Sequence, residues 1–258
     1  MMPTVDSLSH VDPRARIGEG AVIGPFCWVG PHVEIGPGAV LDSHVRVEGH
    51  TTIGERAHVH AGAVLGGPPQ DLKFKGVTSH LSVGARTVIR ECVTANVATD
   101  EGEWTRIGAD CLVMAYAHIA HNTVVGDRVI LANGVQLAGY VTVEDYAIVG
   151  GLVPVHQFTR IGAHAMVGGG CRVPQDVLPY IRGAGHPLKP IGLNLIGLQR
   201  RGFTEETILA LKQAYRLLLR SGLKLEEACA RIREDVPACP EVDHFVDFAL
   251  GTKRGLAR

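Results

Sequence analysis

The sequence predicts an all-β solenoid built from six-residue repeats and closed at its C-terminal end by a few helices. Three observations carry this. An aliphatic residue recurs every six positions from Val11 to Val173, filling 25 of the 28 places in that column; the exceptions are Asp71, Ala95 and Glu101. A second column, four residues later, takes small side chains: Ala21, Cys27, Val33, Ala39, Val45, Thr51, Ala57 and Ala63. Glycine is abundant at 32 residues, while aromatic residues make up only 5%. A period of six fits neither the 3.6 of a helix nor the 2 of an ordinary strand. One large and one small inward residue per six fit short strands separated by corners, with coils stacked at a strand spacing of about 4.8 Å. Frequent glycine fits tight corners around a thin core.

Taken in order, the repeat is regular from Ile17 and is first interrupted at "GGPPQDLKFKG", where Asp71 falls in the core column. The phase returns at Val77 and Val83, so this coil should carry a projecting loop. A second interruption, "ATDEGEWTR" around Glu101, reads as another loop. The repeat should end near "VPQDVLPY". From Phe203 the period becomes helical: Thr204 is an N-cap followed by Glu205 and Glu206, and Ile208, Leu211, Tyr215, Leu218 and Leu219 share one face up to Ser221-Gly222. A second helix is expected over Glu226 to Arg233, and a third from Pro240 with Val242, Phe245, Val246 and Leu250 on its apolar side. The expected division is a β-solenoid over residues 1–190 and a helical domain over 191–258.

Bulk properties remove several classes of function. A formal net charge of -1 offers no general field for nucleic acid. The start, MMPTVDSL, lacks a signal-peptide pattern, and no apolar run approaches the roughly 20 residues of a membrane span. Six scattered cysteines without a C-x-x-C pair suggest neither a disulfide framework nor a zinc ribbon, and Cys27, Cys111 and Cys171 sit in the small inward slot as core filler. A cytoplasmic protein is expected.

The [Ile/Leu/Val]-Gly-x-x-x-x pattern resembles the hexapeptide-repeat acyltransferases. That resemblance implies a left-handed parallel β-helix with three hexads per coil, hence about nine coils here. With an 18-residue coil, His121 stacks under Gly139 and Gln157 in one column, with His118 and His156 beside it. A base, a backbone free of side chain and an amide then share one face. Six of the other histidines, His10, His32, His44, His50, His58 and His164, read as solvated.

"GGPPQDLKFKG", "AHIAHN", "ILANGVQLAG", "VGGLVPVHQFTRIGAHAMVGGG" and "GLNLIGLQRRGF" together resemble the UDP-N-acetylglucosamine 3-O-acyltransferases that begin lipid A synthesis. The resemblance covers essentially the whole chain. It implies that His121 is the general base and that the Gly139 N–H meets the oxyanion, its missing side chain admitting the thioester. Asp71, Lys73, His118 and Gln157 would hold the sugar and phosphates, and Asn194, Arg200 and Arg201 the uridine-diphosphate end. Gly169 would keep an acyl-chain groove open, in a column with Gly151, Asn133 and Ala115. The implied assembly is a homotrimer with sites between subunits, acting on UDP-N-acetylglucosamine and a 3-hydroxyacyl acyl carrier protein, without metal, cofactor or covalent acyl-enzyme. Asn122 stands where many members have Asp, Tyr140 where many have a second histidine, and Ile196 where they have Glu. The alternatives are a coenzyme-A-dependent sugar acetyltransferase, N-acylation of an amino-sugar analogue, a zinc hydratase using His118, His121 and His156, and a non-catalytic scaffold.

Overall fold

The structure, a computed structural model, describes residues 2–258. Short strands, most of two residues, form three sheets of 11, 8 and 8 strands. Except at the end of the first sheet, where two later strands add in sequence, neighbours within a sheet are three strands apart along the chain, so the chain visits the first, second and third faces in turn. Undisturbed coils advance by 18 residues: Val22 pairs with Val40, Trp28 with Arg46 and Glu34 with Thr52, all parallel. The stack starts at Thr4 and completes eight coils at Ile161, with part of a ninth above.

Both interruptions are extrusions whose lengths are multiples of six. His50 pairs with His80 and Val64 with Thr94, an advance of 30 residues, so 12 extra residues leave the stack after Gly67. His80 pairs with Trp104, an advance of 24, and one further hexad leaves after Asn96. The six-residue phase therefore survives interruptions that the coils themselves do not contain. Val77 keeps the phase but lies half-buried in the first loop, and the ladder resumes only at His80–Val83. Ala95, by contrast, is core at 1% exposure.

Inward side chains fill the prism. Leu41, Leu65, Ile89, Ile119, Leu131 and Leu137 are fully buried, as are Ala39, Ala57 and Ala63 in the small slot. Cys27, Cys111 and Cys171 are buried there too, and all six cysteines are free. Some glycines turn corners, such as Gly38 (φ 65°) and Gly134 (φ 68°), but others have a second job. A Cβ at Gly36 would lie 2.7 Å from the Glu55 nitrogen, and one at Gly54 2.6 Å from the Ala85 nitrogen, so these glycines exist because the next coil passes too close for a side chain. Left-handed backbone sits elsewhere, one residue before the small slot. It is adopted there mostly by non-glycine residues, Asn122 (φ 57°) and Tyr140 (φ 61°) among them. Each costs roughly 1–2 kcal/mol, offset by ladder hydrogen bonds on both sides of the corner.

The chain leaves the solenoid through a hairpin, Ile181–Ala184 against Lys189–Leu193. Helices α1 (Leu195–Arg200), α2 (Glu205–Arg220), α3 (Leu225–Asp235) and α4 (Pro240–Leu250) follow. Thr204 caps α2, its side chain accepting from the Thr207 N–H, and Ile208, Leu211, Tyr215 and Leu218 are buried as the spacing predicts. Neither the hairpin nor α1 was expected. The hairpin sequence has no apolar alternation, and α1 is too short for a helical period to register. Helix α4 docks on the solenoid through His244, whose Nε2 lies 3.0 Å from Glu144 and whose Nδ1 lies 2.9 Å from the Tyr180 hydroxyl. Beyond it the buried Asp176 carboxylate accepts from the Arg160 N–H (2.8 Å) and the Thr252 hydroxyl (2.7 Å), strapping the C-terminal segment over the last coil.

These two kinds of column position make a direct test. Ile89→Ala should cost about 2–5 kcal/mol in chemical unfolding, the range for emptying a packed core site. Val77→Ala, in phase but extruded, should cost under about 1 kcal/mol. Equal losses would mean that Val77 belongs to the core.

Candidate active site

The corner between the second and third faces carries most of the unusual residues. Going up that edge coil by coil, the chain between the two faces is the 12-residue loop, then the six-residue loop, then the segments containing His121, Gly139 and Gln157. The two extrusions and the histidine column thus lie in one line, which the sequence did not disclose because their lengths were unknown.

The column itself is as the 18-residue spacing predicts. The Tyr140 N–H donates to the His121 carbonyl and the Phe158 N–H to that of Gly139, both at 3.1 Å. A Cβ on Gly139 would fall 2.5 Å from Cε1 and 2.7 Å from Nε2 of His121. The imidazole lies across the bare backbone, so the space a side chain would fill is taken by the histidine itself. Resemblance had assigned that space to the thioester. The Gly139 N–H donates to no group among the described residues.

His118 sits one coil-face residue back, on the strand His118–Ile119, with Nδ1 2.7 Å from the Thr94 hydroxyl. Burial, and then the nearby charge of His121, hold its pKa below the ordinary imidazole range, which favours a neutral ring. His121 Nδ1 is 3.0 Å from Asn122 Oδ1, and the Asn122 N–H donates to the buried Thr105 hydroxyl at 2.8 Å. Tyr140 meets the His121 ring edge-on, with centroids 5.4 Å apart, and stacks on Phe158 at 5.0 Å. Beside them a cavity of about 440 Å³ is lined by Tyr140, Phe158, Lys253 and Arg254. The Arg254 guanidinium is 3.1 Å from His156 Nδ1, next to the exposed Gln157. Arg254 was missed from sequence because only the Asp176 strap brings it there. Asp71 and Lys73 stand in the first loop, two coils before His121. The Asp71 carboxylate accepts from the Lys73 N–H at 2.9 Å, and the loop is anchored by the buried Asn96 amide donating to the Pro68 carbonyl at 3.0 Å.

Four expected site residues lie elsewhere. Asn194 and Arg200 line a cavity of about 470 Å³ against the first face, with Ile148, Met166 and Arg182. Asn194 also caps α1, accepting from the Gly197 N–H, and donates to the His164 carbonyl at 3.0 Å. Arg201 diverges from Arg200, its guanidinium 4.6 Å from the centre of the Tyr146 ring. Gly169 lies at the corner between the first and second faces; a Cβ there would lie 3.4 Å from the Gly151 carbonyl, and one at Gly151 3.3 Å from that of Asn133, so the expected column exists. One chain therefore holds His121, the arginines and Gly169 on three different parts of its prism.

Three of the histidines read as solvated, His50, His58 and His164, are partly buried and partnered. His164 stacks on Tyr146 at 4.7 Å, and burial followed by the charge of Arg201 lowers its pKa to about 4. His58 and His60 both contact Asp42, at 2.9 and 3.0 Å, on the edge between the first and second faces. Among the described residues this is the trio close enough to share a metal ion; His118, His121 and His156 form no such group. His32 and His50 are stacked at 4.3 Å.

Fold and edge together define a hexapeptide-repeat transferase. The model for the bacterial transferase hexapeptide matches residues 32–67 and 105–139, halting on either side of the two loops. The model described as UDP-N-acetylglucosamine O-acyltransferase, domain 2, matches residues 176–257. The UDP-N-acetylglucosamine acyltransferase from Bacteroides fragilis is 38% identical, over 99% of this chain and 100% of that one, with a TM-score of 0.96. The Moraxella catarrhalis O-acyltransferase is 40% identical over 98% and 99%, with a TM-score of 0.94. The Arabidopsis acyltransferase is 33% identical over 98% and 100%, with a TM-score of 0.87. The solenoid is the left-handed parallel β-helix of that class, and the chain belongs to the UDP-N-acetylglucosamine O-acyltransferase family.

His164 supplies a pH test. The unfolded chain protonates this ring near its ordinary 6.5, while the folded protein resists protonation down to about 4. The unfolded state thus binds more protons in that window, and stability falls as pH drops from about 6.5 towards 4. His164→Gln should flatten that slope in denaturant titrations run across the window. An unchanged slope would place the proton uptake on other groups.

Proposed function

We propose that this chain transfers a 3-hydroxyacyl group from acyl carrier protein to the 3-hydroxyl of UDP-N-acetylglucosamine, the first step of lipid A biosynthesis. Family membership supports the reaction class. The observation that carries the mechanism is the His121 ring seated across Gly139. With Nδ1 hydrogen-bonded to Asn122, Nε2 is the free nitrogen. It takes the proton of the sugar hydroxyl as that oxygen bonds to the thioester carbonyl carbon. The resulting oxyanion lies within reach of the Gly139 N–H. Collapse breaks the carbon–sulfur bond, and the leaving thiolate recovers the proton from the imidazolium. General-base assistance is worth about 10²–10⁴-fold, and one oriented oxyanion donor about 2.7–4 kcal/mol.

His118, kept neutral by burial, would hydrogen-bond the sugar together with Asp71, Lys73 and Gln157 on the same edge. Asn194, Arg200 and Arg201 would take the nucleotide diphosphate, where a guanidinium matches paired phosphate oxygens. Those groups are remote from His121 within one chain, so the reading includes a homotrimer in which the edge of one copy faces the first face of the next. Gly169 would floor the acyl groove, where each buried methylene is worth roughly 0.8 kcal/mol. The reaction needs no cofactor beyond the acyl donor. A cytoplasmic location is proposed with it; no helix among the described residues is long and apolar enough to cross a membrane.

Incubation with UDP-N-acetylglucosamine and a 3-hydroxyacyl carrier protein should yield the O-acylated sugar nucleotide by mass analysis. His121→Ala should lower turnover by at least about a hundredfold with an unchanged circular dichroism spectrum. Activity within about threefold of wild type would remove His121 from the mechanism.

A further inference from the structure

The six-residue loop, the second of the two extrusions, reaches the base through Asn122. Besides His121 Nδ1, Asn122 Oδ1 lies 3.0 Å from the Thr99 N–H and 2.8 Å from the Thr99 hydroxyl. The Thr99 hydroxyl is in turn 3.0 Å from both the Tyr140 hydroxyl and Asp100 Oδ2, and Tyr140 donates to that same carboxylate oxygen at 3.0 Å. His121, Asn122, Thr99, Tyr140 and Asp100 form one closed network on the edge.

Proton counting gives this network a direction. A backbone N–H can only donate, so Thr99 requires an acceptor at Asn122 and fixes the amide with its oxygen, not its NH₂, toward the cluster. An amide oxygen beside His121 Nδ1 can only accept a hydrogen bond, so in the neutral ring Nδ1 must carry the proton and Nε2 must be bare. If the amide turned over, its NH₂ would face the Thr99 N–H donor to donor, and His121 would be driven to the tautomer in which Nε2 holds the proton and cannot act as base. A carboxylate at position 122 would present an acceptor in either orientation and need no such lock. Asparagine does, and the left-handed corner at Asn122 is a conformation it tolerates better than most residues. The Thr99 hydroxyl and the Tyr140–Asp100 contact hold the loop so that the Thr99 N–H stays aimed. Asp100 also returns a negative charge to the site, one hydrogen-bonded step further out.

We infer that the second extruded loop positions the catalytic base: Thr99 orients Asn122 and thereby selects the reactive tautomer of His121, with Asp100 and Tyr140 bracing Thr99. This rests on reading His121 as the base, but it can be tested apart from catalysis. The ¹⁵N shifts of the His121 ring in the full-length protein, above the pH at which it protonates, should report a protonated Nδ1 and a bare Nε2. Asp100→Ala should convert this to a tautomer mixture. An Nε2-protonated ring in the wild type, or no change in the variant, overturns the inference whatever the turnover. In kinetics, Asp100→Ala should lower kcat about tenfold with the sugar KM within about twofold. In an Asn122→Asp background, where no lock is needed, the same change should cost less than about threefold. Equal losses in both backgrounds would also overturn it. If His121→Ala stays active while the wild-type ring has the stated tautomer, the base assignment fails and the positioning role stands.

Discussion

Everything in this molecule depends on the parallel ladder between coils. Each short strand hydrogen-bonds the strand one coil above and below, and that bonding keeps 18 residues in the stack per circuit, with anything extra pushed out as a loop. The constraint explains glycines such as Gly36 and Gly54, which stand where the next coil leaves no room for a Cβ. It explains why corners force left-handed backbone on residues as large as Tyr140 and Phe158. It also shows why insertions of twelve and six residues are tolerated: the chain leaves and re-enters the stack at the same corner, so the strands resume in register and every inward side chain keeps its face.

The same ladder builds the chemistry. Residues 18 apart stack directly, so a histidine and a glycine on consecutive coils become an imidazole lying across bare backbone. Extruded residues can do what coil residues cannot, which is to reach sideways. Thr99 and Asp100 reach Asn122 in this way, and the Asp176-anchored tail brings Arg254 to His156. The prism also imposes a limit. Groups on different faces of one solenoid are separated by its core, so no rearrangement within a chain brings Arg200 to His121. A site that needs both must be completed by a second copy.

Sequence reasoning read the repeat, the His121–Gly139–Gln157 column, the Ala115–Gly169 column and the long amphipathic helix, because each is set by a fixed spacing. It failed where position depends on something other than spacing. Val77 matched the core period because an extrusion of twelve residues is invisible to a count by sixes. The hairpin and α1 carry no period long enough to detect. From sequence alone His58 and His164 read as solvated because outward residues usually are; their partners, Asp42 and Tyr146, come from neighbouring coils. The arginines adjacent in sequence end in different cavities because one closes the last turn of α1 and the other lies beyond it.

The central claim is that one copy supplies the His121 edge and another the arginine face. Subunit complementation tests it most directly. His121→Ala and Arg200→Ala chains, each nearly inactive alone, are co-expressed in equal amounts and the whole oligomer population is purified together. If the site is shared, a junction is intact whenever an Arg200→Ala copy offers its histidine edge to a His121→Ala copy, which random assembly makes about one junction in four. Activity should then recover to about a quarter of wild type. If mixed oligomers form and remain as inactive as their parents, each chain carries its own complete site and the account is wrong.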